Sequence, residues 1–157
     1  MHAMPFVHSG LALLHALAGA ACLGAMVYSF FILHPRARAF FPREAEFEAF
    51  IATVSRGTRY PVLTALALVG ASGAALSVVR WPGTPAVTWV ALIGLKTGLF
   101  AAAVGLFVHV SWRLWPARIL ALPEEVAGLQ TRFRHRAAVM LVIASLGMAL
   151  GVLTHTA

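Results

Sequence analysis

Apolar residues along this chain fall into four long stretches, separated by segments rich in arginine, proline and glycine. The bilayer core is about 30 Å thick, and roughly 20 apolar residues in helical form are needed to cross it. Each of the stretches is long enough, and they lie at about 11–33, 60–80, 87–115 and 137–154. The pattern predicts an all-α integral membrane protein, a single domain built as a bundle of four antiparallel transmembrane helices.

Proline and acidic residues in the connections indicate where helices turn and begin. The second connection is short and contains Pro82 and Pro85, so we expect the second and third spans to lie side by side and antiparallel. In the third connection, Pro123 is followed by Glu124 and Glu125. Proline suits the first helical turn, and acids are stabilised at the positive end of the helix dipole. The fourth helix is therefore predicted to begin well before the membrane.

The first connection carries a helical pattern of its own, which follows Pro42. Apolar side chains recur on one face, namely Phe47, Phe50, Ile51 and Val54. Charged side chains are expected to face away from it, namely Arg43, Glu44, Glu46 and Glu48. This spacing is typical of a short amphipathic helix that lies at the membrane interface.

Composition supports the membrane assignment. Hydrophobic residues make up 61% of the chain and charged residues 11%, and the mean hydropathy is +0.86. A soluble domain has roughly 45–50% apolar and about 25% charged residues, so hydrocarbon solvent explains this chain better than a soluble core. The formal charge of +7 would favour a nucleic-acid partner in a soluble protein. Here most of the arginines lie in two connections, so the charge indicates membrane topology and no nucleic-acid partner is expected.

The arginines also predict the orientation of the bundle. The first and third connections lie on the same side of a four-span protein and hold ten arginines, whereas the opposite side holds only Arg80. By the positive-inside rule the arginine-rich side is cytoplasmic. Both termini are then expected outside the cytoplasm of a bacterial inner membrane. The first span has no basic segment before it and three more spans follow, so we expect a membrane helix and not a removed signal peptide.

Seven histidines are the main chemical feature of so apolar a chain. Ionisable residues inside a membrane are costly and usually functional. His8, His15 and Cys22 are spaced by seven residues, and Met26 flanks the same helical stripe. Imidazole, thiolate and thioether groups suit copper, and the soft sulfur donors favour Cu(I). The stripe therefore predicts a copper path along the first span.

Further candidate copper ligands lie towards the ends of the chain. Met148 and His155 share a helical face of the fourth span. Before the first span, His2 and Met4 offer an imidazole and a thioether, and a free terminal amine with a histidine at the second position chelates Cu(II). These residues predict that copper is captured near the N-terminus and then passed to the first span.

Haem b is an alternative ligand for the same histidines. A b-type haem takes two axial ligands from different helices at one depth, small residues that make room, and basic groups for its propionates. His15 and His155 meet these conditions on the outer side, with Arg80 near them. On the inner side the pair would be His109 with His34 or His135. Residue chemistry leaves copper and haem equally open.

The third span carries Lys96, the only lysine, whose partner is expected to be an anionic ligand or backbone carbonyls. Lys96 and His109 are thirteen residues apart, about 220° around a helix, so they cannot both face one narrow site. Glycines share a face with His109, namely Gly94, Gly98 and Gly105. This face is expected to point at a packed interface.

A third interpretation needs no ligand. Met and Cys side chains fill apolar gaps and histidine hydrogen-bonds a neighbour, which would suit a structural subunit of a larger membrane complex. Cys22 is the only cysteine, so no intrachain disulfide is expected. Glycine-lined faces on so small a bundle favour a homo-oligomer.

Several segments resemble the helices of a known family. "LLHALAGAACLGAMVY" resembles the first helix of the CopD copper-resistance domain, in which His is followed seven residues later by Trp; His15 matches, and Cys22 replaces the Trp. "YPVLTALALVGASGAAL" resembles the second helix, with Ser72-Gly73 in place of its Thr-Gly. "LIGLKTGLFAAAVGLFVHVSWRLWP" resembles the third helix, whose Leu-Lys is matched at Lys96. "RFRHRAAVMLVIASLGMAL" resembles the last helix, without the acid often found after its basic start.

The related HemJ family, haem-binding protoporphyrinogen oxidases, shares the first-span histidine and the third-span lysine. The CopD resemblance implies copper movement across, or delivery from, the outer face of the inner membrane. Besides the lipid bilayer, the expected partner is a periplasmic copper carrier or a respiratory complex. From these families only His15 and Lys96 carry over as functional residues.

Overall fold

The computed structural model describes the backbone of residues 3–81, 83–84 and 86–156, and the side chains of residues 6–81, 83–84, 86–122 and 124–152. Within these ranges every regular element is helical. The segments long and apolar enough to cross a membrane are Phe6–Phe40, Arg59–Val79, Val87–Ile119 and Glu124–Val152. The chain is a membrane protein built from four long helices, which confirms the predicted fold class.

The helices follow one another as α1 (Ala3–Tyr28), α2 (His34–Phe40), α3 (Glu44–Ser55), α4 (Arg59–Val79), α5 (Val87–His109), α6 (Trp115–Ile119) and α7 (Pro123–Thr156). Single π-helical turns, Ser29–Leu33 and Val110–Leu114, join α1 to α2 and α5 to α6. The last helix begins at Pro123, as predicted from the proline and the acids that follow it. There the Glu125 carboxylate accepts a hydrogen bond from the Leu122 N–H at 3.2 Å, which satisfies one of the unpaired donors at the helix start.

Proline explains why the two π-helical turns lie where they do. Pro35 and Pro116 each occupy the first turn of the helix that follows a π-helical turn. Proline has no N–H for the regular i→i−4 ladder, and its ring crowds the carbonyl of the preceding turn. A π-helical turn accommodates one extra residue and relieves this conflict, so that the helix continues. The first and third long helices can therefore extend past the lengths that hydropathy alone predicts.

The long helices pack as two pairs. α1 packs most extensively against α4, and α5 against α7, with a smaller contact between α1 and α7. The short connection between α4 and α5 was expected to place them side by side, but these two helices have few contacts. Each has its main partner elsewhere, and the Phe100 ring of α5 reaches Gly70 of α4, where an added Cβ would lie 3.1 Å from it. A cavity of about 1880 Å³ lies between the pairs.

Helix α3 confirms the amphipathic helix predicted in the first connection. Its apolar face packs against the protein, because Phe47 and Ile51 form a buried cluster with Ala37 of α2. Phe41, Phe50 and Trp115 pack around this cluster. The most deeply buried side chain is Ile51, which is 1% exposed. Among the described residues the closest-packed part of the protein is thus at the α3 end of the bundle.

Substitution of Ile51 tests this cluster. Ile51→Ala should destabilise the protein by about 2–5 kcal/mol, because truncating a fully buried branched side chain loses burial and leaves a cavity. Val54 lies on the same helix but is 41% exposed, so Val54→Ala serves as the control. Thermal unfolding in detergent, followed by circular dichroism, measures both. Equal melting temperatures for the two variants would contradict the assignment of Ile51 to a buried core.

Candidate functional site

The cavity between the helix pairs runs along most of the bundle. One end is lined by His8 and Arg80, and is called the Arg80 end. The opposite end is lined by Phe47, Arg118 and Gln130, and is called the α3 end. Between them the lining comes from the apolar helices and is therefore mostly aliphatic and aromatic. A ligand in this space would contact hydrocarbon along its length and polar groups only at its ends.

The His15 side chain is fixed by α4. Its Nδ1 lies 3.1 Å from the Val69 carbonyl oxygen and 3.0 Å from the Ser72 hydroxyl oxygen. The single hydroxyl hydrogen of Ser72 is directed along its own helix, to the Leu68 carbonyl at 2.5 Å. Because a carbonyl oxygen only accepts, and the hydroxyl hydrogen is already donated, the network assigns the hydrogen to His15 Nδ1. In the neutral imidazole with this tautomer the lone pair is on Nε2, which is the form of histidine that binds metals.

Gly73 makes room for this arrangement. A Cβ at position 73 would lie 3.1 Å from His15 Cε1, closer than ordinary van der Waals contact. The next residue towards the N-terminus, Ser72, is 4% exposed and supplies the hydrogen-bond acceptor. The Ser72-Gly73 pair of α4 therefore provides both the anchor and the space for the imidazole of α1.

The predicted stripe of α1 lines the cavity. His8, His15, Cys22 and Met26 all contribute to its wall, as does Met148 of α7. The Met148 methyl carbon lies 4.0 Å from where a Cβ on Gly19 would be. Gly19 stands one turn after His15 and three residues before Cys22, so the thioether of α7 reaches the part of α1 between the imidazole and the thiol.

Among the described side chains, no three His, Cys, Asp or Glu residues come together as a metal-binding group. Three of the predicted ligands lie outside those side chains, namely His2, Met4 and His155. Between its two ends the cavity is lined by the imidazole of His15, the thiol of Cys22 and the thioethers of Met26, Met140 and Met148. This set offers one strong nitrogen ligand with sulfur donors near it.

The third span differs from its prediction at His109. His109 is exposed, and so is the glycine face of α5, where an added Cβ on Gly94, Gly98 or Gly105 would meet open space. The expectation that this face points at a packed interface is therefore wrong for the isolated chain. α5 uses a different face against α7, and Lys96 lines the cavity. Helical phase correctly separated Lys96 from His109.

Charge is distributed unequally between the two ends of the cavity. Arg80 and Lys96 both contribute to its wall, and the charge of Arg80 acts on Lys96. Every acid of the chain lies in the connections at the α3 end, namely Glu44, Glu46, Glu48, Glu124 and Glu125. The half of the cavity nearer Arg80 is thus electropositive, which favours an anionic group there.

A polar network at the α3 end was missed by sequence reasoning. Arg118 is 5% exposed, and its guanidinium donates to both oxygens of Glu48, at 2.8 and 2.7 Å. Gln130 donates to the same carboxylate at 2.7 Å. The rings of Trp115 and Phe133 flank the guanidinium, with centroids 5.7 and 5.2 Å away. Glu48 was expected to face away from the bundle, yet it precedes buried Ile51 by three residues, and this spacing places it beside the apolar face.

The environment of Glu48 keeps its carboxyl ionised. Burial raises the pKa, but hydrogen bonds from Arg118 and Gln130 and the charges of Arg118 and Arg38 outweigh burial, so the pKa lies below its ordinary value. His34 lies next to this network, with ring centroids 6.3 Å from Phe47 and 6.2 Å from Phe133. His34 therefore occupies an aromatic site at the α3 end, whereas His135 is exposed.

Comparison of the chain with known protein families, curated proteins and solved structures found no match.

Replacement of Gly73 tests the anchoring of His15. Gly73→Ala should lower the melting temperature and displace the His15 ring, because the new Cβ would crowd Cε1. Nitrogen-15 NMR of the histidine side chains should show a protonated Nδ1 for His15 in the unaltered protein and a changed signal in the variant. Gly94→Ala is the matched control, and with open space around it should gain about 0.5–1 kcal/mol from helix propensity. The same response from both variants would refute the anchoring.

Proposed function

We propose that this chain is a b-type haem protein of the membrane, in which His15 would bind the haem iron. The observation that carries the proposal is the tie between His15 Nδ1 and α4, which leaves Nε2 as a ligand in a large apolar cavity. Haem-ligating and metal-ligating histidines characteristically donate their other ring N–H to a carbonyl or a similar acceptor. Val69 and Ser72 supply that acceptor here.

The size of the cavity supports a macrocycle over a single ion. Ligand pockets commonly have volumes of about 300–1,000 Å³, and this cavity is larger. At about 1880 Å³ it holds far more than the coordination sphere of a metal ion requires. Its apolar walls would exclude water from a flat hydrophobic ring.

Met148 is the described side chain that would best bind the iron together with His15. It comes from α7, packs against Gly19 of α1, and lines the same cavity as His15. A histidine and a methionine together are an established axial pair for haem. His109 is not a candidate for this cavity, because it lies on the exposed face of α5.

The cationic end of the cavity would bind the carboxylates of the ligand. Arg80 and Lys96 line that end, and the acids of the chain lie at the other end. Two cationic side chains at one end of the cavity would attract the negative charges of carboxylates. A haem held in this way supplies one-electron redox chemistry, and the chain's own residues bind it, orient it and keep water away.

Topology and resemblance support the same proposal. The arginine distribution favours a cytoplasmic α3 end and an Arg80 end outside, in a bacterial inner membrane. The resemblance to the HemJ and CopD families covers His15 and Lys96, both of which line the cavity. A respiratory complex is the partner that an electron carrier of this kind would serve.

The visible spectrum of the detergent-purified protein tests the haem proposal. We expect a Soret band, and sharp α and β bands on reduction, in protein as isolated or after addition of hemin. His15→Ala should remove or shift these bands by loss of the nitrogen ligand. His109→Ala is the control and should leave them unchanged, because His109 is exposed and away from the cavity.

Two results would refute the haem proposal. One is a colourless protein that fails to bind added hemin. The other is an equal loss of the bands in the His15→Ala and His109→Ala variants, which would show that the absorbance does not depend on the cavity.

Copper is the second candidate, and the sulfur lining of the cavity favours it. Cys22 and Met26 line the cavity from the same helix as His15. From α7, the methyl group of Met148 lies 4.0 Å from where a Cβ on Gly19 would be, between His15 and Cys22 in the sequence. Soft sulfur donors with one imidazole suit Cu(I). Copper handling at the outer half of the membrane, with a periplasmic copper carrier, would also follow the CopD resemblance.

Titration with Cu(I) tests the copper alternative. The double variant His15→Ala with Cys22→Ala should weaken Cu(I) binding at least about tenfold, which corresponds to about 1.4 kcal/mol. Substitution of the exposed His135 by Ala serves as the control and should have no effect. If the unaltered protein binds no Cu(I) while the haem bands are present, copper is excluded as the ligand of this cavity.

A further inference from the structure

A groove of about 340 Å³ lies at the surface of the bundle where α1 continues into α2. Its wall is formed by the π-helical turn Ser29–Leu33 together with residues of α1, α2 and α3. Aromatic rings line much of it, namely Tyr28, Phe40, Phe41 and Phe50. Among the described residues of this lining, Arg36 is the only one that carries a charge. The groove thus combines an apolar wall with a single cation.

The charge of Arg36 is not used to hold the helices together. The acids of the first connection have other arginine partners, in the pairs Arg38–Glu44, Arg43–Glu46 and Arg118–Glu48. Among the described side chains, Arg36 takes part in no ion pair, and it is exposed at the surface. The Arg36 guanidinium is therefore available to an anion from outside the chain.

Arg36 lies where the first span leaves the hydrocarbon. The segment Phe6–Phe40 has 35 residues, whereas roughly 20 helical residues cross the bilayer core. The sequence predicts that the crossing ends near Leu33, shortly before Arg36. Arg36 is thus expected at the depth of the lipid headgroups, with Tyr28 and Ile32 of the same groove on its hydrocarbon side.

The groove does not suit a ligand of uniform polarity. A purely apolar ligand would leave the Arg36 guanidinium unpaired, and a small soluble anion would leave the aromatic wall uncovered. A two-fold dimer across the groove would bring two copies of Arg36 towards each other, which disfavours a second copy of the chain as the occupant. An anionic phospholipid carries a phosphate next to its acyl chains, and basic pockets between membrane helices bind such headgroups.

We propose that this groove binds an anionic phospholipid, whose phosphate pairs with Arg36 and whose acyl chain lies along Tyr28 and Ile32. The groove holds part of the lipid, because its volume is at the low end of the range of about 300–1,000 Å³ for ligand pockets. The lipid also stabilises the neighbouring packing, since Phe41 of the groove contacts the buried cluster around Ile51. The site is independent of the ligand that the large cavity holds.

Native mass spectrometry of the full chain in detergent tests the site. Dioleoylphosphatidylglycerol and dioleoylphosphatidylcholine have the same acyl chains, but only the first has a net negative charge. The unaltered protein should bind phosphatidylglycerol more tightly than phosphatidylcholine. Arg36→Ala should weaken the binding of phosphatidylglycerol about fivefold, because a basic residue near the membrane surface contributes about 1 kcal/mol to the attraction of anionic lipid.

Arg56→Ala is the matched control for this experiment. Arg56 is also an exposed arginine of the first connection, but it does not line the groove. Its substitution should leave the binding of phosphatidylglycerol unchanged. Equal weakening in the two variants, or equal binding of the two lipids by the unaltered protein, would overturn the proposed site. So would a dimer of the chain that excludes phosphatidylglycerol, because a second copy would then cover the groove.

Ile32→Ala tests the contact with the acyl chain separately. Ile32 is 41% exposed and lines the groove, whereas Ile119 is 57% exposed and does not, so Ile119→Ala is the control. Loss of the apolar surface of Ile32 should weaken the binding of both lipids by the same factor. Equal binding by the Ile32 and Ile119 variants would contradict the placement of the acyl chain.

Thermal unfolding provides a second measurement in solution. A ligand that binds only the folded protein raises its melting temperature. Phosphatidylglycerol added to the detergent micelles should therefore raise the melting temperature of the unaltered protein and of Arg56→Ala more than phosphatidylcholine does. This difference between the lipids should be absent in Arg36→Ala. The same difference in all three proteins would overturn the assignment of the headgroup to Arg36.

Discussion

The hydrogen bonds from His15 to α4 are the contact on which the candidate site depends. Hydrogen bonds between helices in a membrane protein contribute about 0.6 kcal/mol on average, so the energy of this contact is small. Its importance lies in the orientation that it gives to the His15 imidazole. With Nδ1 bound to Val69 and Ser72, the imidazole has one orientation and one tautomer, and the lone pair of Nε2 is available to a ligand. A histidine without these hydrogen bonds would have neither a single orientation nor a single tautomer.

The cavity follows from how the long helices share their contacts. α1 packs mainly against α4, and α5 packs mainly against α7. α4 and α5 follow one another in the sequence, yet they share few contacts. In a bilayer there is no hydrophobic force that closes such a space, because lipid is as apolar as leucine. The pairs can therefore remain separate around a ligand that is itself hydrophobic. Haem has a large hydrophobic surface, whereas a hydrated ion does not. The cavity therefore favours haem over copper as its ligand.

The two ends of the cavity differ in chemistry. Arg80 and Lys96 make one end electropositive, whereas the acids of the chain cluster at the other. There the charges of Arg118 and Glu48 are satisfied by each other, so they stabilise the position of α3 and attract no ligand. The charges that can attract a ligand and the charges that hold helices together thus lie at opposite ends of the same space.

The sequence by itself determined the four spans, the amphipathic α3, the start of α7 at Pro123 and the separation of Lys96 from His109. These features depend on local composition and helical period, which residues close in sequence express. Only the tertiary structure decided that Ser72 anchors His15, that Glu48 pairs with Arg118, and that the glycine face of α5 is exposed. The first two contacts join residues 57 and 70 positions apart. No local pattern specifies which helix faces meet, because the hydropathy of a membrane helix is similar on every side.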